Sequence, residues 1–239
     1  MIKKAINQNA KYAREFIDAI EPNFVFSDNP INRLNIIDSN RQDLYQDKKI
    51  SLSKLKEQIN SIENCNFKVN SKNLIMGNGN INSSIMIIGE APGDIEDDSG
   101  SSFQGESGVL LKKMLSAINL EIENVYTTYA INFKIPESKK PSTQEIKRYS
   151  VFLKEHISII NPKIVILMGG TAMESVTNLK GRISDERGKW KEIILKDQTL
   201  YCMITFSPSY LIRFPENKKY SWEDLKNIKK KIQNLNIKV

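Results

Sequence analysis

Histidine and cysteine are scarce in this sequence, whose 239 residues include one histidine and two cysteines. A single histidine, His156, cannot supply a metal site or proton relay that needs several imidazoles. Cys65 and Cys202 are too few for a zinc or iron–sulfur site, since both usually take four ligands. We therefore expect no metal and no cofactor. So few cysteines also indicate a reducing compartment, and we expect the cytoplasm.

Long apolar runs are missing as well. No stretch approaches the roughly 18 apolar residues that a membrane-spanning helix needs, so we expect no membrane segment. Residues 1–5 are basic, but the polar residues after them do not form the apolar core of a signal peptide. The hydrophobic fraction of 40% is typical of a globular chain that can bury one full α/β core.

Positive charge is in excess. The formal net charge is +7, which favours a polyanionic partner, although a lysine-rich composition without such a role is the alternative. The charge is uneven, because lysines are concentrated in residues 216–239 and in a second basic loop over residues 134–140. The two basic segments could line one groove.

Strands and helices alternate through the second half of the sequence. Apolar runs predict strands over residues 84–88, 125–132, 163–168 and 200–206. Helical spacing of apolar residues, and a capping box at Ser142–Glu145, predict helices between and after them. This alternation predicts an α/β protein: a three-layer α/β/α fold with a four-stranded parallel sheet.

We divide the chain into residues 1–63, an N-terminal helical extension and linker, and residues 64–239, the catalytic domain. Within the extension, apolar spacing predicts helices over residues 2–20 and 51–63. Residues 22–50 are polar and show little periodicity, so we expect a linker or an irregular arm there.

An acidic turn follows the first predicted strand. Gly89-Glu90-Ala91-Pro92-Gly93 precedes Asp94, Glu96 and Asp97. The turn would lie at the carboxyl end of the sheet, where open α/β sheets bind ligands. Glycines around a proline let the backbone approach a ligand along a fixed path.

Two further segments are candidate ligand contacts. Phe103 lies among small residues after the acidic turn, and it is either a core aromatic or a platform on which a base stacks. The segment from Ser207 to Arg213 follows the last strand and is either a plain loop or a DNA clamp. In a clamp, Ser207 and Ser209 would bind phosphates, Leu211 would wedge into the base stack and Arg213 would hold the backbone.

Gly169-Gly170-Thr171 follows the third strand and could bind phosphate at a helix N-terminus. It lacks the Lys-Ser/Thr pair of a P-loop and the third glycine of a dinucleotide fingerprint. We interpret it as a strand-to-helix turn.

Three of these loops, in this order, resemble the uracil-DNA glycosylase superfamily, and in particular its family 4 branch. They are Gly89–Gly93 with Glu96 and Asp97, then Gly100-x-x-Phe103-x-Gly105-x-x-Gly108, then Pro208-x-x-Leu211-x-Arg213. Arg187-Gly188-Lys189-Trp190 is similar to a short signature of the same family.

The resemblance implies an enzyme that flips uracil out of DNA and hydrolyses its N-glycosidic bond in base-excision repair, as a monomer and without a Schiff-base lysine. Its residues fall into three groups. The catalytic group is Glu90, Glu96, Asp97 and Ser207; the base-binding group is Ala91, Gly93, Phe103 and Tyr129; the DNA-binding group is Ser209, Leu211 and Arg213.

The sequence departs from the family pattern at three places. Family 4 members commonly hold an iron–sulfur cluster with four cysteines, but here only Cys65 is near an expected position and Lys68 stands where a partner would be. The family has a Thr-Asn pair whose Asn reads uracil, and this chain has Thr128-Tyr129 in its place. Asn132 follows three residues later and would lie on the opposite face of the strand. The last loop of the family usually begins with His-Pro, and this chain has Ser207-Pro208 at that place.

These departures predict weak uracil excision, a shifted base preference or no excision. The resemblance therefore leaves open a relative that binds DNA without cutting it. A nucleotide-binding α/β domain is a second alternative, which the missing P-loop disfavours.

Overall fold

The computed structural model describes residues 33–63, 65–136, 140–196 and 198–238. The chain divides into two units, Met1–Gln42 and Asp43–Val239. The helix predicted over residues 2–20 lies outside the described residues. The separation of an extension over residues 1–63 from a catalytic domain over residues 64–239 stays a prediction.

The described chain contains nine α-helices and six strands. The helices are α1 Arg33–Asn60, α2 Asn66–Val69, α3 Asp94–Ser99, α4 Gly105–Ser116, α5 Thr143–Ile160, α6 Gly170–Thr177, α7 Ile183–Glu186, α8 Pro208–Arg213 and α9 Lys218–Asn234. The strands are β1 Asn78–Gly79, β2 Ile85–Gly89, β3 Tyr126–Tyr129, β4 Ile164–Met168, β5 Trp190–Leu195 and β6 Gln198–Thr205.

The six strands form one sheet in the order β1-β3-β2-β4-β6-β5. The four inner strands are parallel, as predicted. The predicted sheet was too small, because β1 and β5 add antiparallel edges. The two edge strands lack the buried character of the inner strands: β1 is two residues long, and β5 contains half-buried and exposed residues only.

Alternate residues of the inner strands enter two apolar cores, one on each face of the sheet. Ile85 and Ile87 of β2 pack with α4 and α9, whereas Met86 and Ile88 pack with α5 and α6. Both faces of the sheet are therefore covered by helices, which confirms the three-layer α/β/α fold.

Helix α1 is longer than the sequence predicted. It begins at Arg33, so residues 33–50, which we expected to be part of a linker, are helical. The segment contains no proline or glycine, so no residue interrupts the helix. It also contains few apolar residues, so helical spacing did not predict it. Lys48 fixes the helix by donating to the carbonyl oxygens of Ile81 and Ile160, 3.1 and 2.8 Å away.

None of the helices in the described part of the chain is long and apolar enough to cross a membrane.

Candidate active site

A pocket of about 240 Å³ lies at the carboxyl edge of the parallel strands. It is lined by Gly89, Glu90, Ala91, Pro92, Gly93, Glu96, Phe103, Ser107, Tyr129, Ser207, Pro208 and Ser209. Three loops that are distant in sequence meet here. The first follows β2, the third follows β6, and the second packs against Tyr129 of β3 through Phe103. The pocket brings together eight of the predicted site residues.

Glu90 connects the acidic turn to helix α6. Its Oε1 accepts a hydrogen bond from the backbone N–H of Thr171, 3.0 Å away, at the positive end of that helix. Gly169 has φ +110°, and a Cβ there would lie 2.3 Å from the Glu90 side chain, so the turn needs glycine. The anion at this helix N-terminus is therefore the protein's own carboxylate, which favours the strand-to-helix turn over a phosphate site.

Glu96 holds two of the pocket loops together. Its carboxylate accepts from the N–H groups of Gly93 and Gln104, at 3.0 and 2.9 Å, and is almost completely buried. Because both oxygens are bound to backbone, Glu96 fixes the loops rather than presenting a free carboxylate. These contacts count against the catalytic role predicted for Glu96.

Asp97 is not among the described residues that line the pocket. Its carboxylate accepts from the N–H groups of Lys72 and Asn73 at 3.0 Å, so it ties the segment before β1 to α3. These contacts count against the predicted catalytic role of Asp97 at this pocket. The sequence showed the acid but not its partners, which lie more than twenty residues away.

Phe103 lies in a strained loop that is fixed from both sides. Its φ of +51° is unusual for a non-glycine residue. The loop is held because Phe103 N–H donates to the Tyr129 hydroxyl, and Gln104 N–H donates to Glu96, both at 2.9 Å. Strain of this kind persists where surrounding contacts over-determine the backbone, as they do here.

Tyr129 lies flat against Phe103. The ring centroids are 4.9 Å apart and the planes differ by 27°. Burial, and next the charge of Glu96, raises the pKa of the Tyr129 phenol, so the hydroxyl stays protonated at ordinary pH. Asn132 cannot take over base reading from this strand, because its amide donates to the Ile75 carbonyl, 2.9 Å away.

Ser207 starts helix α8. Its Oγ accepts from the N–H of Tyr210 at 3.3 Å and lies 3.2 Å from the Oγ of Ser209. Ser209 and Arg213 are exposed, as DNA contacts require.

Leu211 points the opposite way from the prediction. It is 1% exposed and belongs to the core under α4 and α9, so it is not available as a wedge in this conformation. The amphipathic turn of α8 places this leucine inward. Phe214, 44% exposed and just beyond α8, is the large apolar side chain that this segment does present.

Comparison with known families decides what this site belongs to. The family model described as the uracil DNA glycosylase superfamily matches residues 76–226. The chain belongs to the uracil DNA glycosylase superfamily. All three loops of the pocket lie within the matched residues.

Similar curated proteins carry the name type-4 uracil-DNA glycosylase. One from Thermotoga maritima is 30% identical over 183 residues, which cover 72% of this chain and 90% of that protein. One from Sulfurisphaera tokodaii is 32% identical over 187 residues, covering 75% and 84%. One from Archaeoglobus fulgidus is 28% identical over 182 residues, covering 74% and 92%.

In this member of the superfamily, Arg187 of the short signature helps to hold the end of the strand that leads into the Ser207 loop. Arg187 Nε donates to the buried carboxylate of Asp224 at 3.0 Å, and the Thr205 hydroxyl donates to the same carboxylate at 2.7 Å. Thr205 is two residues before Ser207. Asp224 was missed by the sequence analysis, because nothing in its own helix marks it as the partner of a residue 37 positions away.

The iron–sulfur cluster that the family 4 resemblance implies does not fit the residues present. Cys65 Sγ lies 2.9 Å from the Tyr149 hydroxyl in an apolar cluster with Phe67 and Phe133. Cys202 lies in a different core, on β6, where burial raises its pKa to about 12. In the parts of the chain that the structure describes, no group of three or more His, Cys, Asp or Glu side chains could hold a metal ion.

Proposed function

We propose that this protein is a DNA glycosylase that hydrolyses the N-glycosidic bond of uracil, or of a related deaminated base, in DNA. The observation that carries the proposal is the convergence of residues 89–96, 103–107 and 207–209 on one pocket at the carboxyl edge of the sheet. Membership of the superfamily and the names of the similar proteins support it. The protein would act in base-excision repair, as a monomer on DNA.

Glu90 is the residue we assign to the water. Of the acids near the pocket, Glu96 and Asp97 are committed to backbone N–H groups, whereas Glu90 lines the pocket with one oxygen on Thr171. A carboxylate so placed can take a proton from a water that attacks C1′ and can stabilise positive charge on the sugar.

The bond between C1′ and the base nitrogen breaks as the water oxygen bonds to C1′. The bonding pair leaves with the base as an anion, and Glu90 receives the proton of the water. Ser207 lines the pocket and accepts from Tyr210 N–H, so its own proton can be donated to the departing base oxygen. No lysine is among the described residues lining the pocket, which fits hydrolysis without a Schiff-base step.

Exposed groups around the mouth would hold the DNA. The Ser209 hydroxyl and the Arg213 guanidinium lie on or beside α8 and are suited to phosphate contacts. Phe214 replaces Leu211 as our candidate for the apolar contact with the base stack.

A single-turnover excision assay at excess protein tests the proposal. Uracil, hypoxanthine and xanthine are placed in labelled single- and double-stranded DNA, and abasic sites are cleaved with alkali. We expect excision by the wild type and a loss of about 10²–10⁴-fold in Glu90→Gln, because the general base is removed. Phe103→Ala should also lose activity.

Glu57→Gln is the matched control, since it removes an equal charge at an exposed position on α1. It should excise at the wild-type rate. Excision that survives Glu90→Gln would overturn the assignment of Glu90. Wild-type protein that binds DNA but cuts none of the three bases would overturn the glycosylase and favour the DNA-binding relative.

A further inference from the structure

One face of the Phe103 ring, the residue assigned to stack on a base, is already covered by Tyr129. The Tyr129 ring lies against it at a centroid distance of 4.9 Å with an interplanar angle of 27°. This is the offset-stacked geometry that aromatic rings prefer, and a flipped base would adopt it too. Phe103 is only 9% exposed and Tyr129 only 4%, so little aromatic surface is left open in the pocket.

The main chain makes room for this arrangement. Gly89 pairs with Tyr129 across β2 and β3. A Cβ on Gly89 would lie 2.7 Å from two carbons of the Tyr129 ring and 2.9 Å from Cζ of Phe103. Glycine at position 89 therefore leaves room for the Phe103 and Tyr129 rings to stack at the end of the strands.

The Tyr129 hydroxyl is held by hydrogen bonding, in addition to the stacking of its ring. It accepts the N–H of Phe103 at 2.9 Å, within the same loop that Glu96 fixes through Gln104. The same hydroxyl also faces the Glu96 carboxylate, which contributes, after burial, to the raised pKa of the phenol. The phenol therefore has a protein partner both for the bond that it accepts and for the proton that it donates. Tyr129 is thus held in the pocket lining by both its ring and its hydroxyl.

We propose that Tyr129 is an internal substitute for the flipped base, and that a base enters the pocket only when the Tyr129 ring leaves Phe103. The inference rests on the proposed function and deepens it, because it makes Tyr129 the residue that sets what the site accepts. A deoxyribose without a base requires no such displacement. The protein therefore discriminates in favour of abasic sites, the product of its own reaction, and against nucleotides that carry a base.

The size of this effect follows from population arithmetic. If the open state is a minor one, the apparent affinity for a base-bearing site falls by the fraction of molecules that are open. Breaking one aromatic stack and one hydrogen bond makes that fraction about one-tenth or less. Affinity for an abasic site escapes this reduction.

The test measures affinity for two DNA duplexes by fluorescence anisotropy. One contains 2′-fluoro-deoxyuridine, which resists hydrolysis, and the other contains a tetrahydrofuran abasic analogue. We expect the wild type to bind the abasic duplex at least about tenfold tighter. Tyr129→Ala should tighten binding to the uracil duplex about tenfold and leave abasic binding unchanged. Tyr129→Phe keeps the ring and should retain most of the wild-type preference.

Tyr129→Val, which is smaller, brings no new hydrogen-bonding group and suits a strand, guards against a fold defect in the alanine variant, and thermal melting reports whether either variant is folded. A wild type that binds both duplexes equally would overturn the inference without any variant. Uracil affinity that does not change in folded Tyr129→Ala or Tyr129→Val would also overturn it.

The two proposals fail separately. Excision of uracil by the wild type with no response to the Tyr129 variants would leave the glycosylase standing and remove the inference. No excision by the wild type, with tighter uracil binding after Tyr129→Ala, would leave the inference standing and remove the glycosylase.

Discussion

Single residues of the same type have different roles at this site. Glu90, Glu96 and Asp97 lie within eight positions of one another, but only Glu90 reaches the pocket without giving both oxygens to backbone N–H groups. Carboxylates that accept backbone hydrogen bonds stabilise loops at the expense of reactivity. A cluster of acids in a sequence therefore does not identify which one is catalytic.

Ser207 gives a test at the scale of a residue. Ser207→Ala removes both a helix cap and the hydroxyl that we assign to the departing base, so we expect excision to slow by about 10²-fold or more. Ser142→Ala is the matched control, because Ser142 caps α5 in the same way and lies outside the pocket lining. Each variant should lose about 0.5–2 kcal/mol of stability. An equal effect of both variants on excision rate would contradict a chemical role for Ser207.

Secondary-structure elements place the site more firmly than individual side chains do. Strands β2 and β6 end at the same edge of the sheet, and β3 ends beside β2, so the loops that follow are bound to meet. Periodicity located these strands because each is a continuous buried run. It missed β5, in which the charged residues Lys191 and Glu192 interrupt the pattern.

Helix α5 carries the only histidine, against β3. His156 is buried, and its Nε2 lies 2.9 Å from the Tyr126 hydroxyl. Burial lowers the pKa of His156 to about 4 from 6.5. Between pH 6.5 and pH 4, the unfolded chain therefore binds a proton on this imidazole and the folded chain does not. We expect the free energy of unfolding to decrease as the pH is lowered through this range, by up to about 1.4 kcal/mol per pH unit.

Proton NMR measures this titration directly, since one imidazole contributes all the histidine signals. The shift of the ring protons should stay constant down to about pH 5 in the folded protein. A midpoint near 6.5 would contradict the burial of His156. Comparing the wild type with His156→Gln at pH 7 and pH 5 separates its contribution to stability from that of the carboxylates.

At the scale of the whole molecule, the lysines of this basic chain, whose net charge is +7, are not equally available to a partner. Lys226 pairs with Glu223 at 2.8 Å, and Lys231 lies 3.6 Å above the ring of Tyr201. Lys113 and Lys218 are instead exposed, and both line a cleft of about 270 Å³ between α4 and α8. This cleft adjoins the Arg213 segment, so we place phosphate contacts there.

The salt dependence of DNA affinity tests this surface. Removing one lysine that binds a phosphate makes the slope of log affinity against log salt shallower by about 0.9. We expect that reduction for Lys113→Ala and for Lys218→Ala, and almost none for Lys226→Ala, whose charge is already offset. Equal slopes in all three variants would place the DNA elsewhere.

The sequence by itself determined the layered α/β architecture and the loops that build the site, because strand and helix periodicity is local and parallel strands share one carboxyl edge. The tertiary structure alone decided what the side chains do there. Asp97 binds backbone 24 and 25 residues away, Leu211 turns into the core, and Tyr129 covers Phe103. Hydrogen-bond partners and burial depend on which distant segments approach one another, and no local pattern in the chain encodes that.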